Sequence, residues 1–303
     1  MYAEYYGLRD IPFDVNPNPK FLFQSTEHQE GLARMLYGVK MRKGLLVLTG
    51  QAGTGKTTLV HSLLQRLGDE TISAWVFNTT LQSDDLLRYI CRDFGVERST
   101  GNKAELLLEM YHFLIKNYEM KRNALLIVDE AQNLCPKTLE EIRLLTNLET
   151  SQTKLVQIIL AGQPPLEDML RLPELCQFRQ RVTIRYKLKA LARDQVGEYI
   201  IHRLKVAGAE KPGIFTIRAI DEIYRCSGGI PRLINAICDN ALLHGFVLNM
   251  RKIDGNLIRQ LEEEGSFLEP AKQQEKDEET PVTTIKHMVS PFASIDMRML
   301  HTI

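Results

Sequence analysis

Gly50-Gln51-Ala52-Gly53-Thr54-Gly55-Lys56-Thr57 fits the spacing G-x-x-x-x-G-K-[ST], a loop that cradles phosphate. Its glycines allow a tight turn in which successive backbone N–H groups face an anion. A helix opening at Lys56 turns its positive end toward the same anion. In such a loop Lys56 reaches the β- and γ-phosphates and the Thr57 hydroxyl ligates Mg²⁺; Thr58 completes the expected binding set. A second constellation is Leu125-Leu126-Ile127-Val128-Asp129-Glu130, an apolar strand ending in two acids. It delivers Asp129 to the carboxyl edge of a parallel sheet, where ligands bind. There Asp129 can hold Mg²⁺ through water, and Glu130 can polarise an attacking water.

These residues need a scaffold, and the chain supplies an alternation of strand-like and helix-like segments up to about Tyr186. Leu45 to Thr49 reads as a buried strand before the loop, and Lys56 to Leu67 as the helix after it. Ile72 to Asn78, Leu125 to Asp129, Leu155 to Ala161 and Val182 to Tyr186 read as further strands. From Leu191 the strands stop. Thr216 and Asp254 read as helix caps, Gly208 and Gly228-Gly229 as helix ends, and Pro231 as the first-turn proline of a long helix. The expected organisation is an α/β nucleotide domain over residues 1–189 and a helical lid over 190–265. The remainder, 266–303, reads as an acidic linker and flexible tail: residues 262–280 hold eight acidic and two basic residues, with little apolar surface to bury.

Composition narrows the function classes. With 44% hydrophobic and 25% charged residues, the chain is neither largely disordered nor a disulfide scaffold. The 38 basic and 38 acidic residues cancel, so a polyanionic partner would need a local patch. Five cysteines without a C-x-x-C pair read as thiols, not zinc ligands. The apolar runs are strand-length and the first residues lack a secretory pattern, so a cytoplasmic location is expected. A GTPase would carry N/T-K-x-D, and Asn102-Lys103-Ala104-Glu105 misses the final Asp. Ser227-Gly228-Gly229 follows the acidic strand, where an ABC-type signature would precede it. Asp129-Glu130-Ala131-Gln132 resembles helicase motif II, but too few residues remain for a second α/β domain. An α/β P-loop domain with a small helical lid, the AAA+ arrangement, is what remains, with ATP and Mg²⁺ as its ligands.

Several further motifs carry a family resemblance. Tyr5-Tyr6-Gly7-Leu8 through Pro12-Phe13, Pro17-x-Pro19-x-Phe21-Leu22-Phe23, Leu160-Ala161-Gly162-Gln163-Pro164, Phe178-Arg179-Gln180-Arg181 and Gly228-Gly229-Ile230-Pro231-Arg232-Leu233-Ile234-Asn235 resemble the ExeA/GspA family of AAA+ ATPases. That resemblance covers about residues 2–262. It implies an ATPase of type II secretion, or of the related transposition group that includes TnsC and MuB. Secretion members usually continue into a membrane helix and a peptidoglycan-binding domain, neither of which is read in these 303 residues.

The resemblance also implies roles for single residues. Gln163 would sense the γ-phosphate, and Asn78 would hold Glu130 away from water until a partner releases it. Arg232 matches the lid arginine that contacts the γ-phosphate in cis. Arg181 would act in trans on a neighbouring subunit's nucleotide, with Arg179 as its alternate. Phe13 packs either near the adenine or in the core. The implied partners are further copies of the chain, in a ring or filament, and a protein of a secretion or transposition assembly. Duplex DNA is a second reading, because residues 171–205 carry nine Lys/Arg against three Asp/Glu.

Overall fold

A computed structural model describes residues 1–14, 19–77, 83–96 and 101–266. Of the tail expected over 266–303, residues 267–303 lie outside them, as does Asn78. A one-turn helix α1 (Tyr2–Tyr5) precedes α2 (Thr26–Lys40), β1 (Leu45–Thr49) and α3 (Lys56–Leu67). Then come β2 (Thr71–Val76), α4 (Ser83–Phe94), α5 (Lys103–Glu119) and β3 (Asn123–Val128). They are followed by α6 (Pro136–Leu145), β4 (Val156–Gly162), α7 (Pro165–Leu170), α8 (Cys176–Arg181) and β5 (Val182–Lys187). Four helices close the described chain: α9 (Arg193–Val206), α10 (Ile217–Ser227), α11 (Pro231–Val247) and α12 (Gly255–Glu263).

The five strands form one parallel sheet in the order β2-β3-β4-β1-β5. Strands covered on both faces should read as unbroken apolar runs, and β1, at Leu-Leu-Val-Leu-Thr, is buried at every residue. β4 is also wholly buried, whereas the edge strands β2 and β5 alternate. Successive side chains of a strand point to opposite faces. Leu45, Val47, Leu126, Val128, Ile158 and Leu160 therefore pack in one cluster with residues of α4, α5 and α6. Leu46, Leu48, Leu125, Ile127 and Ile159 pack on the other face, against residues of α2 and α3.

A third cluster joins α9 to α12, and it contains a surprise at the chain's beginning. Leu8, Phe13 and Phe21 are buried within it, although the division at residue 189 assigned them to the sheet side. The reason is chemical. Arg203 of α9 is only 7% exposed, and its guanidinium faces the rings of Phe21 (5.0 Å), Tyr199 (5.6 Å) and Phe13 (6.0 Å). It donates to the Pro12 carbonyl and, at 2.9 Å, to the Tyr199 hydroxyl, which in turn donates to Asn235 of α11 (2.8 Å). The Tyr2 hydroxyl bonds to Asp239, also on α11. Aromatic faces and backbone oxygen stabilise a cation that burial would otherwise penalise.

Candidate active site

Thr49 ends β1, and the chain turns through residues 50–55 before α3 begins. Gly53 and Gly55 hold φ values of +79° and +100°, a left-handed region that side chains strain to adopt. Gly53 has a second constraint: a Cβ there would stand 2.6 Å from the Arg232 Cβ. α3 has no side-chain cap, so its first-turn N–H groups face the loop. Lys56 is 5% exposed, and its Nζ donates to the carbonyls of Gly50 (2.9 Å) and Gln51 (3.1 Å). Burial lowers its pKa below the usual lysine value, against the opposing pull of Glu130 and Asp129.

The sheet's register brings the acidic strand end to this loop. The Thr57 hydroxyl donates to Asp129 Oδ2 at 2.9 Å, across 72 residues of sequence. A hydroxyl beside a carboxylate is a pair of hard oxygen donors, suited to Mg²⁺ when phosphate oxygens and water complete the shell. No group of three or more His, Cys, Asp or Glu capable of holding a metal occurs among the described residues.

Glu130 follows Asp129 with φ +50°, unusual for a residue with a side chain. Its N–H donates to Asp129 Oδ1 (2.9 Å), and its Oε2 accepts from Gln132 Nε2 (2.5 Å) and Gln163 Nε2 (3.0 Å). Burial works to raise the Glu130 pKa, but these two amides and the Lys56 charge outweigh it and hold the carboxyl below its ordinary value. Gln163 stands one residue past β4, and its backbone N–H donates to Gln132 Oε1 (2.9 Å). The sequence reading gave Gln132 no role; the polar residue two places after the acid was the available signal.

From the helical side, Arg232 is the second residue of α11, and its N–H donates to the Gly53 carbonyl (3.3 Å). Its side chain is exposed beside the loop. His28 is a further residue at the loop that sequence reasoning passed over. Its Nδ1 lies 2.9 Å from Ser25 Oγ, and a Cβ on Gly55 would stand 2.8 Å from Nε2. The Ser25–His28 spacing reads only as a helix cap, which it also is.

Other expected residues lie elsewhere. Phe13 is fully buried, edge-on to Phe215 at 6.1 Å, so of its two readings the structure gives the core contact. With no surface left open, the ring offers nothing for a base to stack on. Arg179 is pinned by the carbonyls of Leu170 (3.3 Å) and Arg171 (3.1 Å). Arg181, in the last turn of α8, is exposed, and its charge acts on the carboxyl of Glu149. Within the basic run, Arg171 pairs with Asp168, Arg193 pairs with Asp221, and Arg203 is buried. Arg185 and Lys187 occupy exposed alternate positions of edge strand β5.

Comparison with known proteins agrees with this geometry. A family model described as an AAA domain matches residues 39–170. General secretion pathway protein A of Aeromonas hydrophila is 45% identical over 254 residues, 84% of this chain and 46% of that protein. Among solved structures, Cdc6p of Pyrobaculum aerophilum superposes with a TM-score of 0.62 at 19% identity, covering 82% of this chain and 71% of its own. Drosophila ORC bound to DNA gives 0.62 at 17% identity, covering 82% and 63%. Fold and site together define a P-loop ATPase fold of the AAA+ class with a helical C-terminal region. Within that class the chain is of the ExeA/GspA type. It spans about half the length of the curated relative, at 46%. No helix among the described residues is long and apolar enough to cross a membrane.

Proposed function

We propose that the chain binds Mg·ATP at this sheet edge and hydrolyses it. The observation that carries this reading is the convergence of Lys56, Thr57, Asp129, Glu130 and Gln163 behind a phosphate-type loop, with the Thr57 hydroxyl on Asp129. Backbone N–H groups of Gln51, Ala52, Gly53, Thr54 and Gly55, with those of Thr57 and Thr58 at the helix start, bind phosphate oxygens, while Gly50, its N–H held by the Gly162 carbonyl at 3.2 Å, starts the turn. Lys56 leaves its loop carbonyls for the β/γ-phosphates. Thr57 and Asp129 hold Mg²⁺, which when bound neutralises phosphate charge. Glu130 orients and polarises the attacking water, Gln163 contacts the γ-phosphate, and Arg232 reaches it from the helical side. In-line phosphoryl transfer depends mainly on such positioning and charge stabilisation.

The output is self-association and work on a protein assembly; the name of the Aeromonas relative places that protein in a general secretion pathway. Arg181 serves a neighbouring subunit's ATP, a reading supported by its exposure and by the anchoring of Arg179 within its own chain. Mixing two inactive variants, Lys56→Ala and Arg181→Ala, tests this. Partial return of ATPase activity supports action in trans; mixed oligomers that stay inactive contradict it. A second reading, an ATP-dependent DNA-binding regulator, is favoured only by the exposed Arg185 and Lys187 of β5. Basic residues also guard edge strands from mispairing. ATPase stimulation by duplex DNA that fades as salt rises would support the DNA reading; its absence at low salt would remove it.

A further inference from the structure

We propose that Gln132 is a positioning residue that, with Gln163, latches the Glu130 carboxylate, and that the latch opens when Gln163 turns toward the γ-phosphate. The inference rests on the ATPase reading above. It begins from a closed circuit of hydrogen bonds. Gln132 Nε2 and Gln163 Nε2 both donate to Glu130 Oε2, and the Gln163 backbone N–H donates to Gln132 Oε1. A carboxylate oxygen offers about two lone-pair sites, so Oε2 is filled, and the two amides fix the plane of the carboxylate and with it the direction in which the remaining oxygen, Oε1, can meet a water.

The orientation of the Gln132 amide follows from its neighbours. Reversed, it would set its oxygen against the carboxylate and its NH₂ against a backbone N–H, two repulsive contacts in place of two bonds. The circuit is also built into the backbone. Asp129 Oδ1 accepts the Glu130 N–H and supports the left-handed φ of +50° that starts the short 3-10 turn Ala131–Asn133. Gly162, the last residue of β4, leaves room for Gln132: a Cβ there would lie 3.0 Å from Gln132 Oε1 and 2.8 Å from Leu166 Cδ2.

Gln163 belongs to the circuit twice, through its side chain and through its backbone. A γ-phosphate that draws the Gln163 amide away removes one donor from Glu130 and loosens the hold of Gln132. Sensing the phosphate and freeing the carboxylate thus become one movement. Gln132 touches neither nucleotide nor water in this scheme and acts only through Glu130 and Gln163.

Gln132→Met tests the latch, because methionine fills similar space without a strong donor or acceptor. Three readouts are expected. In nucleotide-free protein, the Gln163 amide should exchange with solvent on the order of tenfold faster by NMR, as its acceptor is gone. KM for ATP should stay within about twofold, since the loop is untouched, while kcat should rise several-fold. Gln132→Asn, one methylene too short to span the circuit, should behave alike and serves if the methionine variant folds poorly. Wild-type exchange at Gln163 together with wild-type kcat would overturn the latch. A fall in kcat at constant KM would also overturn it, since Gln132 would then be aligning Glu130 for catalysis. If the wild-type chain neither binds nor turns over ATP, the proposed function fails, while the exchange measurement still decides whether the circuit exists.

Discussion

Two buried cations anchor two different kinds of structure in this chain. Lys56, 5% exposed, lies at the sheet edge on two carbonyls of its own loop, with Glu130 and Asp129 near enough to act on its charge. Arg203, 7% exposed, lies in the helical cluster among three aromatic rings, bonded to a carbonyl and a phenol. A lysine ammonium is a point charge on a flexible stem that can exchange one set of oxygens for another. A guanidinium is a planar fork whose donors and faces fix several neighbours at once. The first arrangement is built to hand its cation to a ligand, and the second to hold an N-terminal segment onto a helical cluster. Function should therefore be lost without the fold at one site, and the fold without the loop chemistry at the other.

The largest effect is expected at the loop. Lys56→Ala should weaken ATP binding by at least about 100-fold, close to 3 kcal/mol, as measured by calorimetry. The unfolding midpoint of the nucleotide-free protein should hardly move, because a buried ammonium is itself costly. A large loss of stability would erase the contrast. Arg203→Ala should do the reverse. Its charged hydrogen bonds and cation–π contacts together contribute about 3 kcal/mol, read from urea unfolding. Arg203→Lys should recover only part of this, since lysine cannot make both bonds and cover the rings.

Arg232→Ala should fall between these limits. Its backbone contact to Gly53 survives the substitution, so the fold should be kept while ATP affinity drops about tenfold, the loss of one charge-assisted contact. An unchanged affinity would remove it from the site.

The smallest expected effect concerns pH. Burial lowers the His28 pKa more than Glu27 and the Thr54 backbone raise it. The neutral ring is thus the form the fold prefers, and its contribution is full above the unfolded histidine pKa and lost as pH falls through the lower folded one. Stability should decline on acidification below about pH 6.5, and His28→Asn should flatten that slope. An equal slope in the variant would show that His28 does not supply it.

The comparison also marks what the sequence could and could not reveal. β1 and α3 have the limits that apolar patterning and the loop motif implied, and Gln163 falls just past β4. These features are local: strand, turn and helix follow one another, so spacing encodes them. Arg203 reads locally as one of a basic run, and nothing near it points to Pro12, 191 residues away in the chain. Gln132 and His28 escaped for a related reason. Gln132 stands in the Asp129-Glu130-Ala131-Gln132 motif, but its second partner is the Gln163 backbone amide 31 residues on, and His28 meets the turn at Gly55, contacts that spacing does not record. Phe13 went to the core because a ring beside a buried guanidinium is worth more closed than open.

In the proposed reading, one edge of the sheet both holds ATP and cleaves it, through different residues. This reading is tested most directly by following bound ATP in a single turnover in the Glu130→Gln variant beside wild type. ATP should bind the variant with wild-type affinity and persist uncleaved, while the wild-type chain converts it to ADP. Loss of binding in the variant, or cleavage at the wild-type rate, would contradict the division of labour between Lys56 and Glu130.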